Sequence, residues 1–233
     1  MGDAGPSGGL AVFDLDCTIT RRDTLGPFLW GFLWRRPWRF ARALLALPAA
    51  ARFPFERDRG AFKGAVIHAL LGGARRTALA RWAERFVGAR LHDGLYGEAL
   101  AAIAMHRARG DRLLMMSAST DLYVPRIGHA LGFDEIICSE VRWRADDRLD
   151  GRLASANCRG EEKRRCLAAL IARDAPGRVY AYGDSRADLA HMQLVQLAYL
   201  INPSARLAAR LPPHVQVLHW HQPGGIGNPG NRA

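Results

Sequence analysis

The rhythm of apolar and polar positions changes twice along the chain. Gly9-Leu10-Ala11-Val12-Phe13-Asp14 is an apolar run that ends in carboxylates, the pattern of a short buried strand. Between Arg21 and Asp93 the apolar residues recur at helical spacing and no good strand pattern stands out, which predicts a small helical domain. Its apolar runs, residues 25–34 and 40–51, flank Arg35-Arg36-Pro37-Trp38-Arg39. Both runs fall short of the ~20 residues that span a bilayer. After Gly94 helix and strand patterns alternate. Helices are expected over residues 95–109, 121–131, 161–173 and 188–195, and strands over 112–117, 135–139, 178–182 and 198–201. Residues 141–153 alternate around Asp146-Asp147, as a hairpin does. Such βα alternation predicts an α/β fold: a Rossmann-like parallel sheet with helices on both faces, interrupted by an inserted α-helical domain. The α/β core takes residues 1–20 and 94–221, the helical insert 21–93, and residues 222–233, rich in Gly, Pro and Asn, a loose tail. Ligands of such sheets bind at the carboxyl ends of the strands.

Charge sharpens this division. The net charge is +11, and residues 21–93 carry fifteen Lys and Arg against five Asp and Glu. Nearly all the excess therefore lies in the helical insert, which suits an anionic partner. Arg and Lys there occur without any recognised nucleic-acid motif, so no specific nucleic acid is expected. No obligate protein partner is implied. Cys17, Cys138, Cys158 and Cys166 form no CxxC pair and no zinc pattern, as reduced thiols of a cytoplasmic protein would. The first nine residues lack a basic region and an apolar region, so no secretory signal is read there.

Four short segments carry candidate chemistry. In Asp14-Leu15-Asp16-Cys17-Thr18 the two carboxylates lie at i and i+2 past a buried strand, so they face the same way. Two such carboxylates call for positive charge, and a divalent cation with oxygen ligands supplies it. A turn or helix-cap pair is the plain alternative. In Gly183-Asp184-Ser185-Arg186-Ala187-Asp188 a helical turn would bring Asp184 and Asp188 to one side. Ser117, at the end of Arg112-Leu113-Leu114-Met115-Met116, is followed by Ala118-Ser119-Thr120, where a hydroxyl beside backbone N–H groups makes an anion pocket. Lys163, in Gly160-Glu161-Glu162-Lys163, would by itself be an ordinary solvated charge.

Taken together and in order, these four segments resemble the motifs of the haloacid dehalogenase superfamily. Asn157 through Lys163 and the helical insert resemble its phosphoserine phosphatase-like subfamily, in which the insert is a cap. The resemblance implies the haloacid dehalogenase fold and a Mg²⁺-dependent phosphatase. It assigns Asp14 as the nucleophile that becomes an aspartyl-phosphate, and Asp16 as the group that protonates the leaving oxygen and then activates water. It implies that Asp14, Asp16 through its backbone carbonyl, and Asp184 hold Mg²⁺. Ser117, Ala118 and Lys163 would hold the phosphoryl oxygens, and Asp188 would orient Lys163 or a metal-bound water.

The match departs from the pattern in places. Cys17 stands where Gly is frequent, and Ser117-Ala118-Ser119 replaces Ser-Gly-Gly. Asp23 stands near the position of an acidic cap residue that is usually Glu, and Arg57, Arg59 and Lys63 are the candidates for a cap cation. A second resemblance runs from Asp23 through Pro48. This stretch is similar to the cap of bacterial phosphatidylglycerophosphatase C, and its Trp30, Phe32, Trp34, Trp38 and Phe40 interleave with arginines as at a membrane interface. The two resemblances imply a phosphorylated small molecule or a lipid phosphate as substrate. The second adds peripheral contact of a cytoplasmic protein with the anionic inner membrane face.

Overall fold

The computed structural model describes residues 8–46 and 58–221. Six strands form one sheet in the order β3-β2-β1-β6-β7-β8, with every neighbouring pair parallel. They are β1 (Leu10–Phe13), β2 (Arg112–Thr120), β3 (Glu135–Ser139), β6 (Val179–Gly183), β7 (Leu197–Ile201) and β8 (Val215–Leu218). A parallel sheet is buried on both faces, which is why its strands read as continuous apolar runs. Alternate residues separate two cores. Ala11, Phe13, Leu113, Met115, Tyr180 and Tyr182 belong to one, and Leu10, Val12, Leu114, Met116, Val179 and Ala181 to the other. In register, Phe13 stacks on Tyr182 at 4.3 Å between ring centroids, and Tyr182 on Tyr199 at 4.9 Å.

The first helix of the insert is α1 (Leu25–Trp34). A 3₁₀ helix (Pro37–Ala46) follows, where the sequence pattern gave an α-helical run. Then come α2 (Arg59–Leu71) and α3 (Arg76–Asp93). Phe28, Trp82 and Phe86 join α1 to α3 in an aromatic cluster that also holds Tyr123 of the sheet side. The chain leaves and rejoins the sheet at one place. Arg21 N–H donates to the Gly94 carbonyl at 2.9 Å, and Tyr96 N–H to the Ile19 carbonyl at 3.0 Å. Residues 47–57, which include the end of the run at 40–51 and Arg57, lie outside the described residues, as does the expected tail at 222–233.

Beyond the insert lie α4 (Gly97–Ala108), α5 (Val124–Ala130), α6 (Glu161–Asp174), α7 (Leu189–Met192) and α8 (Ala205–Ala208). The hairpin of β4 (Val141–Trp143) and β5 (Leu149–Leu153) turns at Asp147, whose φ is +56°. It lies against the insert rather than the sheet. Gly73 N–H donates to the Leu149 carbonyl at 2.8 Å, and Leu149 N–H to the Ala74 carbonyl at 2.9 Å.

Candidate active site

The six-stranded order reverses direction at β1, and the carboxyl ends of β1, β2 and β6 meet there. This is where a doubly wound sheet places its ligand. A cavity of about 560 Å³ opens at that edge. Asp14, Asp16, Ala118, Ser119, Lys163, Asp184 and Asp188 line its sheet side. Leu25, Leu29, Arg59, Phe62, Lys63 and Val66 line its helical side, and Asp23 stands at its edge.

Asp14 is the first residue past β1, held by its own N–H to the Tyr182 carbonyl at 2.9 Å. Lys163 is buried rather than solvated, because the first turn of α6 points it into the sheet edge. Its Nζ donates to Asp14 Oδ1 at 2.5 Å and to Asp188 Oδ1 at 2.8 Å. Asp188 Oδ2 accepts from the Ser185 N–H at 3.1 Å and the Ser185 hydroxyl at 2.8 Å. Gly183 makes this possible, since a Cβ there would lie 2.6 Å from the Asp188 Cβ.

One lysine serves several carboxylates. Asp14, Asp184 and Asp188 place one carboxylate oxygen each within 4.8 Å of one another. Burial drives Asp14 well above the usual carboxylate range, Lys163 opposes this, and Asp188, Asp16 and Asp184 add to it. Burial and then Asp188 push Asp184 up to about 7. Asp188 itself is held below the usual range: burial raises it, and the Lys163 charge outweighs that. Hard oxygen donors with so little positive charge between them suit Mg²⁺.

Asp16 faces the other way. Its Oδ1 accepts from the Thr24 N–H at 2.7 Å and the Thr24 hydroxyl at 2.5 Å, and its Oδ2 from the Ser119 hydroxyl at 2.6 Å. Burial nonetheless raises it, against those hydrogen bonds. Its carboxylate is not part of the three-carboxylate group, so only its backbone carbonyl remains for the metal role that the resemblance gave it.

Ser117 is fully buried, and its Oγ accepts the Ser119 N–H at 3.0 Å. It does not line the cavity, whereas Ala118 and Ser119 do. Asp23 is exposed and accepts the Gly26 N–H at 3.0 Å, near the start of α1. The sequence reading gave no role to Thr24 or Ser119. Their signal was weak, since hydroxyl residues are common in loops after strands.

Residues 11–193 match the haloacid dehalogenase-like hydrolase family. The chain belongs to that family. Protein CicA of Caulobacter vibrioides is 33% identical over 188 residues, which cover 80% of this chain and 83% of that protein. A Bordetella pertussis protein of unknown function, 24% identical, superposes with a TM-score of 0.74 over 91% of this chain and 98% of its own. A probable phosphoserine phosphatase from Vibrio cholerae, 16% identical, superposes with a TM-score of 0.69 over 95% of this chain and 64% of its own. This hydrolase therefore shares its fold with phosphatases.

Proposed function

We propose that this hydrolase is a phosphomonoester phosphatase that works through an aspartyl-phosphate on Asp14. The observation that carries this reading is the Asp14–Lys163–Asp188 chain at the carboxyl end of β1. Lys163 occupies Asp14 Oδ1, while among the described residues Oδ2 has only a long 3.4 Å contact from the Thr18 hydroxyl. Oδ2 is then the oxygen that attacks phosphorus. The P–O bond to the alcohol breaks, and Asp16 gives its proton to the departing oxygen. A raised Asp16 is suited to carry that proton. In the second half Asp16 takes a proton from water, the water oxygen attacks phosphorus, and the Asp14–phosphorus bond breaks to release inorganic phosphate. Splitting the hydrolysis in this way is covalent catalysis. Lys163, with the Ala118 N–H near the end of β2, would hold the phosphoryl oxygens.

The donor set fits Mg²⁺, with Asp14, Asp184 and the Asp16 backbone carbonyl as its holders and Asp188 close by. Bound there, it would neutralise charge between nucleophile and phosphate. In this reading residues 1–20 and 94–221 form the catalytic body, and 21–93 its cap. The likeness to a probable phosphoserine phosphatase supports a phosphorylated small molecule as the substrate class.

A second reading, a lipid phosphate at an anionic membrane, is favoured by one observation. Trp34, Trp38 and Leu44 are exposed on the cap beside Arg35, Arg36 and Arg39. No helix among the described residues is long and apolar enough to cross a membrane, so this reading requires surface contact.

The test is a phosphate-release screen over amino-acid, sugar, nucleotide and lipid phosphates with Mg²⁺ and with EDTA. Asp14→Asn should lower turnover by about 10⁴-fold or more, EDTA should abolish it, and Mg²⁺ should restore it. Residual turnover in Asp14→Asn would remove Asp14 from its role. Sedimentation with anionic vesicles, lost in Trp34→Ala/Trp38→Ala, would favour the lipid reading.

A further inference from the structure

Lys63 is a half-buried lysine on the insert whose ammonium is committed to the opposite wall of the cavity. Its Nζ donates to the Ala118 carbonyl and to Asn157 Oδ1, each at 2.5 Å. These two acceptors belong to one small network. The Ser139 hydroxyl lies 2.9 Å from the Ala118 carbonyl and 3.2 Å from Asn157 Oδ1, and it accepts the Cys158 N–H at 3.1 Å. Ala118 sits beside Ser119 near the end of β2, where the pairing with β3 shifts register. Asn157 and Cys158 lie in the segment that leads into α6 and Lys163. Lys63 thus touches two of the segments that present groups to the cavity from the sheet side.

The helix is built for this reach. Asp58 caps α2 by accepting the Gly60 and Ala61 N–H groups at 2.8 and 3.0 Å. Gly60 and Gly64 lie one turn apart on the face toward residues 152–157. A Cβ at Gly60 would stand 3.2 Å from the Asn157 Cβ, and one at Gly64 3.3 Å from the Leu153 nitrogen. Two bare positions let α2 lie close, and Lys63 sits between them in sequence.

We propose that Lys63 is a positioning residue that fixes the cap helix to the end of β2 at Ala118 and to the segment before α6, setting the spacing between Ser119 and Lys163. A misplacement on the order of 1 Å in such a site costs as much as ~100-fold in rate. The kinetic consequence rests on the phosphatase reading, and the structural one does not. Asp16, Asp23, Arg159 and the Cys158 thiol are the titratable and charged groups that act on the amine. Burial brings Lys63 down to about 8, so the ammonium form that can serve both acceptors declines above that pH.

The experiment compares wild type, Lys63→Met, Asn157→Ala and the double variant, each with Mg²⁺. Amide hydrogen exchange is followed in residues 116–120 and 154–160, with β1 and β6 as the internal control. Kinetics use p-nitrophenyl phosphate. Each single variant should speed exchange in both segments by about tenfold and leave β1 and β6 unchanged. Each should lower kcat by about tenfold or more with little change in KM, and the double variant should lose no more than either single one. The fall of wild-type kcat above pH 8 should vanish in Lys63→Met. Unchanged exchange in 154–160 overturns the proposal. So do additive losses, or a rise in KM alone, which would make Lys63 a substrate-binding cation. If wild type hydrolyses no phosphate ester, the phosphatase reading fails, and the exchange data still decide the role of Lys63.

Discussion

The two walls of the cavity are held by different forces. On the sheet wall, Asp14 at the end of β1 and Asp188 at the start of α7 are buried and ion-paired through Lys163. On the helical wall, Thr24 and Lys63 reach across with hydrogen bonds to Asp16, Ala118 and Asn157, and apolar side chains fill the space between. The sheet wall concentrates charge where the backbone is rigid. The helical wall spreads weaker contacts over a segment tethered to the core at residues 20–21 and 94–96 and along the β4–β5 hairpin. Fixed distances are kept by the first wall, and adaptable contacts by the second.

The largest effect expected from this contrast is on stability. Lys163→Met leaves Asp14 and Asp188 buried without their partner, and breaking such a pair costs about 3–5 kcal/mol. On the opposite wall, Thr24→Val removes a hydroxyl that meets both Asp16 and the Tyr123 hydroxyl, at 2.9 Å from the latter. A lost hydrogen bond of this kind costs about 1–3 kcal/mol. Urea unfolding in EDTA should therefore rank Lys163→Met as clearly the more damaging. The reverse order would mean that the buried ion pairs contribute less than the hydrogen bonds across the cavity.

The second effect depends on pH. In the unfolded chain the Asp184 carboxyl returns to its ordinary range near 3.8, while in the fold burial holds it at about 7. Between these values the folded protein keeps a proton that the unfolded chain has lost. Without a divalent cation, stability should then fall as pH rises from about 4 to about 7, and stay lower above. Asp184→Asn removes this slope. In EDTA its Tm should match that of wild type near pH 4 and exceed it at pH 8. Mg²⁺ should raise the Tm of wild type more than that of the variant, because a cation bound only to the fold stabilises it. A Tm gap that does not vary with pH would refute the assigned burial of that charge.

The same contrast explains what was legible in the chain. Strand-end carboxylates declare themselves, because an apolar run that stops at Asp14 or at Gly183-Asp184 has few other reasons to stop there. The sheet and its helical insert followed from the two rhythms. Lys163 was recognisable only through its neighbours, since helical spacing alone made it a surface charge. Thr24 and Ser119 were silent, and Lys63 was readable only as one of three candidate cap cations, because telling partners lie far away in sequence: Asp16 and Ser119 are 103 positions apart, Thr24 and Tyr123 99, and Lys63 and Asn157 94. β8 was missed because Val215–Leu218 is four residues long and follows Pro212-Pro213. The hairpin was readable, but its attachment to the insert was not, because that pairing joins Ala74 to Leu149.

The smallest effect lies at the hinge of the two walls, at Cys17. Its φ is +59°, the left-handed region that a residue with a Cβ adopts at a cost of about 1–2 kcal/mol. The surrounding turn enforces that geometry. The N–H groups of Ile19 and Thr20 both donate to the Leu15 carbonyl at 2.9 Å, so the chain must curl tightly just after Asp16. Cys17→Gly relieves the strain, but glycine adds freedom to the unfolded chain worth about 0.4–1 kcal/mol. The net expectation is a gain of about 0.5–1 kcal/mol in urea unfolding. The thiol is not needed for nucleophilic chemistry, because burial first and then Asp184 and Asp16 push it up to about 11, leaving it protonated at neutral pH. Turnover by Cys17→Gly should therefore stay close to that of wild type. A loss of stability in Cys17→Gly would show that the Cys17 side chain contributes more by packing beside the carboxylates than its backbone costs.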